Sequence, residues 1–321
     1  MCLRGEKGKG NMNTILVHLG CQGPYIQNTL PPEHMDWCIR QYLAFNSAPL
    51  YVLTDRENMP HITQRPGVRV AAAEDYYSPK VDQFHRGYKY AKDEFWGVTT
   101  TRFFYLEKFI EAHKLAPCVH FENDIMVYFD IGQRAQTFQK LYGPNLAYPL
   151  CDDTQATSGF MYIGSHAALS HFNDYVIDMM ERLGMYGFEN MIRKRHNVNM
   201  VMMNDMTLLR HYTDTRGVGG VGFLPILPYD EHSSGYEALG GLFDPGDYGQ
   251  YFGGTRGQGP GVTYAGHYVG GILRHNEYNL AWQTEAGLRV PYLDYDGKLA
   301  RFNSLHIHSK NMQAFASKTD A

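Results

Sequence analysis

The chain has 321 residues, 44% of them hydrophobic and 19% charged, enough to bury a large core as one big domain or two small ones. A formal charge of -4 and a pI near 6.4 argue against a nucleic-acid binder that works through a basic field. The five cysteines, Cys2, Cys21, Cys38, Cys118 and Cys151, lie far apart with no Cys-x-x-Cys, so neither a zinc site nor a disulfide framework is suggested and a reducing compartment is expected.

Residues 1 to 11, rich in Gly and Lys without apolar periodicity, read as a disordered tail or an upstream start, with Met12 standing just before the first strand. Asn13 to Leu19 reads as a buried strand ending at Gly20, Pro32 to Phe45 as a helix, and Pro49 to Thr54 as a strand with Asp55 at its end. Val68 to Val70 is a short third strand. Thr101 to His113 has a helical stripe of Phe104, Leu106, Phe109 and Ile110, and Cys118 to Phe121 is a strand that delivers Glu122-Asn123-Asp124. Alternating strands and helices imply a mostly parallel sheet flanked by helices, an α/β fold. Ligands bind beyond the carboxyl ends of such strands, where Asp55 and Glu122-Asn123-Asp124 fall.

In the second half, Ser158 to Gly164 is a strand candidate behind the polar loop Cys151 to Thr157, Ala167 to Leu183 an amphipathic helix, and Val201 to His211 a helix opened near Asn204-Asp205. From Gly217 to Gly271 the glycine, tyrosine and proline content suits long ordered loops over a site. No repeat or linker run divides residues 12 to 321, which read as one domain. No apolar run reaches the roughly 18 residues of a membrane span and no signal-peptide core is present, so a soluble, cytoplasmic protein is expected.

Glu122 and Asp124, with one residue between them after a buried strand, present two hard oxygen donors to one side, where they can hold a divalent ion and through it a diphosphate. Near the C-terminus, His306 and His308 share a face of an extended Leu305 to Lys310, and an imidazole suits a manganese-type ion already held by carboxylates. His308 is favoured over His306 as that ligand because it lies nearer Lys310, whose point charge would reinforce the diphosphate. Gly217 to Gly222 spaces three glycines as a dinucleotide loop does, but Pro225 and Pro228 forbid the helix that must follow. There is no Walker loop, no Gly-x-Ser-x-Gly elbow and no His-Glu-x-x-His helix.

Taken in order, these segments resemble the GT-A glycosyltransferases, the nucleotide-sugar-dependent transferases with an Asp-x-Asp hallmark. Glu122-Asn123-Asp124 stands in the place of that hallmark, behind an Arg-bearing helix that begins near Arg102. Ser158-Gly159-Phe160 is similar to the small-residue strand start that faces the donor sugar, and Asn204-Asp205 to the acidic helix opening on the acceptor side. His306 or His308 with Lys310 corresponds to the C-terminal histidine and lysine that reach metal and diphosphate. The resemblance implies a Mn2+- or Mg2+-dependent transferase that moves a sugar from a nucleotide-sugar, most commonly a UDP-sugar, to a hydroxyl of a saccharide or glycan acceptor.

It further implies Asp124, Glu122 and a C-terminal histidine as metal ligands, with the nucleobase near His18, Leu19 and Gly20 and with Asp55 as a polar contact. An inverting transfer, the preferred reading, needs a carboxylate base, for which Asp205, Asp152, Asp153 and Asp244 are candidates, Asp205 preferred; the alternative, a retaining transfer, needs none there. Glu122 replaces the commoner first aspartate and is open to a metal, ribose or water contact. Tyr76-Tyr77, Trp96, Trp282 and Tyr248 to Phe252 offer stacking faces to sugars, and Gly240 to Gly254, carrying Asp244, Asp247 and Gln250, reads as an acceptor or donor-sugar loop. The alternatives are a metal-dependent phosphoester hydrolase and a non-catalytic carbohydrate-binding protein.

Overall fold

A computed structural model describes residues 12–20, 33–88, 94–216, 220–229, 231–255, 259–260, 273 and 278–318. The tail, Cys2, Cys21 and the first part of the three-glycine run lie outside the described residues. In chain order the elements are β1 (Asn13–His18), α1 (Glu33–Phe45), β2 (Leu50–Thr54), β3 (Val68–Ala72), α2 (Pro79–Gly87), α3 (Glu94–His113), β4 (Cys118–Phe121) and β5 (Ile125–Val127). There follow α4 (Ala135–Tyr142), β6 (Leu146–Tyr148), β7 (Phe160–Ile163), α5 (His166–His196), α6 (Asp205–Arg216) and β8 (Val221–Phe223). The remainder is α7 (Tyr236–Leu239), β9 (Leu242–Phe243), α8 (Asp247–Gly253), β10 (Asn279–Glu285), β11 (Leu288–Tyr295), β12 (Lys298–His306) and α9 (Met312–Phe315).

The main sheet has the order β3-β2-β1-β4-β7-β6-β8. β3, β2, β1 and β4 run parallel, as expected of apolar strands separated by helices, whereas β7 is antiparallel to both β4 and β6. That reversal is the antiparallel part of a sheet expected to be mostly parallel, and it sets the start of β7 beside the end of β4. Alternation buries both faces of the parallel half. Leu16, Val52 and Val119 join the core that carries Met35, Cys38 and Ile39 of α1, and Ile15, Val17, Tyr51 and Leu53 join the core under α2, α3, α5 and α6.

Several elements were not legible in the sequence. α3 begins at Glu94 rather than near Thr101, and α5 runs on to His196 past Gly184, whose φ of 59° interrupts the helix. α6 starts at Asp205 because Asn204 caps it: Thr207 N donates to Asn204 Oδ1 at 2.9 Å and Asn204 N donates to Thr207 Oγ1 at 3.1 Å. The stretch read as long loops contains β8, α7, β9 and α8 among its described residues.

A second sheet, β10-β11-β12-β5, is antiparallel, with β9 added parallel to β12. It is joined to the first by the turn Glu122–Asp124, since β5 leaves that turn directly and pairs His306 of β12 with Ile125. A C-terminal strand is thereby held against the end of β4. α8 packs on it so tightly that a Cβ at Gly249 would collide with the His306 carbonyl, a backbone atom that cannot swing aside. Gly249→Ala should therefore destabilise the fold by about 3 kcal/mol, the upper range for overpacking a core, read as a lower urea midpoint at unchanged slope.

Candidate metal and substrate site

The site forms where β1 and β4 diverge, the crevice in which β1 has partners on both sides whose connections leave in opposite directions. Asp124 is 5% exposed, and its Oδ1 lies 3.1 Å from His306 Nε2, itself 3.7 Å from Glu122 Oε2. Glu122, Asp124 and His306 each offer a ligand atom within 4.8 Å of the others. The residues fit a divalent cation: Asp124 Oδ1 is buried and faces the His306 ring nitrogen, and two carboxylates with one imidazole are a donor set for manganese or magnesium.

His306, rather than the favoured His308, joins the carboxylates. The ladder between β12 and β5 ends at His306↔Ile125, one residue from Asp124, so the register delivers His306 and the chain then turns away. His308 stacks on the His306 ring at 4.1 Å, with its Nδ1 3.2 Å from the His306 carbonyl. Lys310, held at a φ of 62° in the left-handed region, ion-pairs with Asp124 Oδ2.

Behind this cluster, Arg102 of α3 donates from one Nη2 to Glu122 Oε1 at 2.6 Å, Asp205 Oδ2 at 2.7 Å and Ser158 Oγ at 2.5 Å. Ser158 Oγ in turn donates to Glu122 Oε1 at 3.0 Å or Asp205 Oδ2 at 3.1 Å, and Thr99 Oγ1 donates to Asp205 Oδ1 at 3.2 Å. Gly159 is needed for space, since a Cβ there would meet Ile125 Cδ1 at 3.0 Å and His306 Nδ1 at 3.2 Å. Its carbonyl accepts from Glu122 N at 3.0 Å, which locks the start of β7 to the acidic turn.

Charge follows from this packing. Burial alone would raise the Glu122 and Asp124 carboxyls, yet Arg102 and His306 pull Glu122 below its ordinary value, and His306 with Lys310 pulls Asp124 well below. For His306, burial opposes the charged form but Asp124 outweighs it, and the imidazole is shifted upward. Asp205 is shifted upward by burial, against the pull of Arg102.

At the end of β1, His18 Nδ1 accepts from Asn123 Nδ2 at 2.8 Å, which leaves the proton of a neutral ring on Nε2. Burial, reinforced by His34, pushes the His18 pKa down to about 4, and its buried Nε2 has no hydrogen-bond partner. Asp55 Oδ2 accepts from Gly20 N and, at 3.2 Å, from Asn58 Nδ2, so Asp55 fixes the backbone that leaves β1. Leu19 packs at the edge of the adjoining core.

The remaining carboxylates separate by their partners. Asp244 is buried and accepts four backbone N–H groups, from Gly246 at 2.8 Å, Tyr248 at 3.1 Å, Gly249 at 2.8 Å and His306 at 2.9 Å. Asp152 accepts from Thr154 N at 2.6 Å and Gln155 N at 2.8 Å in a tight turn, and Asp153 is exposed beside it. Of the aromatic residues read as stacking faces, Tyr248 is fully buried in the core and Tyr76 packs on Phe109 at 4.9 Å. Trp282 is covered by the Arg289 guanidinium at 3.5 Å, Trp96 is half-buried, and Tyr77 remains exposed.

No family model and no curated protein matches the chain. Among solved structures it is similar to mouse xyloside xylosyltransferase 1 in its apo form, at 10% identity and a TM-score of 0.42 over 73% of this chain and 94% of that one. It is also similar to the PaToxG glycosyltransferase, at 8% identity and a TM-score of 0.36 over 54% of this chain and 62% of that one. At this level of likeness the functional reading rests on the residues of the site.

Asp124→Ala should lower Mn2+ affinity at least about 100-fold, because a buried anionic ligand is lost. His306→Ala should cost about 10-fold or more, and His308→Ala several-fold less than that. Calorimetric titration with Mn2+ checks the order, and an equal loss for the two histidines would overturn the assignment of His306.

Proposed function

We propose that this chain is a metal-dependent glycosyltransferase of the GT-A type, which moves a sugar from a nucleoside diphosphate donor, a UDP-sugar in the first instance, to a hydroxyl of a saccharide or glycan acceptor. The observation that carries this reading is the Glu122–Asp124–His306 cluster with Lys310 at its edge, set at the switch point of a sheet that is parallel on its donor side. Asp124, His306 and Glu122 Oε2 would hold Mn2+ or Mg2+. A cation bound there supplies positive charge to the departing diphosphate.

The protein groups divide the remaining work. Lys310 contributes a second positive charge to the diphosphate on leaving Asp124. His18, a neutral ring with an unfilled Nε2–H, donates to a carbonyl of the base at the end of β1, while Asp55 holds Gly20 in place beneath it. Arg102 keeps Glu122 ionised and aimed, and Ser158 with Gly159 forms the floor under the sugar.

We further propose that the transfer retains configuration. Asp205 has both oxygens engaged, by Arg102, Ser158 and Thr99, so its role is to hold the guanidinium rather than to take a proton. Among the four candidates, Asp244 is filled by backbone donors and Asp152 has only its Oδ1 engaged in a turn, which leaves Asp152 Oδ2 and exposed Asp153 as the groups that an inverting reaction would have to use.

Incubation with a panel of nucleotide-sugars and Mn2+ should release free nucleotide, and EDTA should abolish that release. A phosphoester hydrolase would release phosphate instead, and a carbohydrate-binding protein would release nothing. NMR of the product anomer decides retention. Asp205→Asn should cost about 2 kcal/mol of stability, because buried Arg102 loses an ionised partner. Undiminished stability together with a 100-fold loss of kcat would instead identify Asp205 as the base.

A further inference from the structure

The loop that folds into α8 holds a carboxyl group that the site described above does not use. Asp247 is fully buried, and among the described residues neither Oδ1 nor Oδ2 has a hydrogen-bond partner. Asp244, three residues before it, shows what the same loop does with a carboxylate that serves the fold: it collects four backbone N–H groups and pins α8 to the strand that bears His306. Leaving a buried carboxyl without any donor costs about 1–3 kcal/mol even for a neutral polar group. A side chain held at such a cost is typical of a position kept for a ligand.

Its surroundings say what that ligand is. Gly249, two residues on, packs against the His306 carbonyl, so Asp247 lies on the helix that abuts the strand bearing the metal-ligand candidate. Burial first, then Asp244 and Asp152, push the Asp247 carboxyl well above its ordinary value, toward the neutral form. A protonated carboxyl offers one O–H donor and one carbonyl acceptor. A sugar hydroxyl offers the same pair. An anionic group would be repelled by the flanking carboxylates, and a cation would find no cluster of three ligand atoms here, since among the described residues that arrangement occurs only at Glu122, Asp124 and His306.

We propose that Asp247 is the contact for a hydroxyl of a neutral sugar ring in the substrate, which completes the hydrogen bonds that the protein leaves open. This rests on the glycosyltransferase reading and adds to it a residue that selects among sugars. The rigid loop presents the carboxyl without further ordering, because Asp244 already fixes the backbone on either side of it. The hydroxyl can belong to the donor sugar or to the acceptor, and the two sources give different kinetics.

The test uses the full chain with Mn2+, wild type beside Asp247→Ala and Asp247→Asn. Asp247→Ala should lose at least about 10-fold in kcat/KM, the equivalent of one hydrogen bond to substrate, while its melting temperature does not fall and its affinity for UDP with Mn2+ stays within 2- to 3-fold of wild type. Asp247→Asn, which keeps a carbonyl acceptor and offers N–H donors, should keep activity within a few-fold. A hydroxyl of the donor sugar makes the intact nucleotide-sugar bind more weakly to the Ala variant while UDP does not, and an acceptor hydroxyl raises only the acceptor KM. A wild type that releases nucleotide from no donor overturns the glycosyltransferase reading and this inference with it. An active wild type overturns this inference alone if its Asp247→Ala variant is equally active, if Asp247→Asn fails as badly as Ala, or if UDP binding falls in step with transfer.

Discussion

Everything at the site depends on one guanidinium. Arg102 is buried, and it joins three segments that are distant in sequence: Glu122 at the end of β4, Ser158 before β7 and Asp205 at the start of α6. Two buried carboxylates facing each other without it would repel and one would be protonated; with it, Glu122 stays ionised and Asp205 is held in place. The pairing also fixes geometry, because a planar donor in a packed helix leaves its acceptors few positions to occupy.

The front of the site carries an excess of negative charge. Glu122, Asp124 and Asp205 are three carboxylates, against which Arg102 and Lys310 set two fixed positive charges. His306 adds to the positive side, its imidazole shifted upward by Asp124 against the effect of burial. A divalent cation held there would supply that charge and leave Lys310 for a second anion. The left-handed backbone at Lys310 is the strain that accompanies this placement.

The loop between β9 and α8 shows two carboxylates put to opposite uses within three residues. Asp244 is saturated by backbone N–H groups and works as a clamp, so the position of His306 depends on a residue that touches no substrate. Asp247 is equally buried and, among the described residues, wholly unsatisfied. The first contributes stability and the second gives some of it up.

The sequence by itself determined the strands and their acidic ends. Buried apolar runs before Gly20, Asp55 and Glu122 are local signals, and local propensity places β1, β2 and β4 and the side on which ligands must bind. It also marked Ser158, Gly159, Asp205 and Lys310 as chemistry-bearing residues, without their partners. Register and reversal were decided only in three dimensions. Whether His306 or His308 meets Asp124 depends on the pairing of β12 with β5, and a shift of one residue would reverse the strand's faces. That Asp205 holds Arg102 depends on Asn204 taking the cap. That Asp244 is filled while Asp247 is bare depends on where four backbone N–H groups point, a property of a folded loop that no spacing of residues encodes.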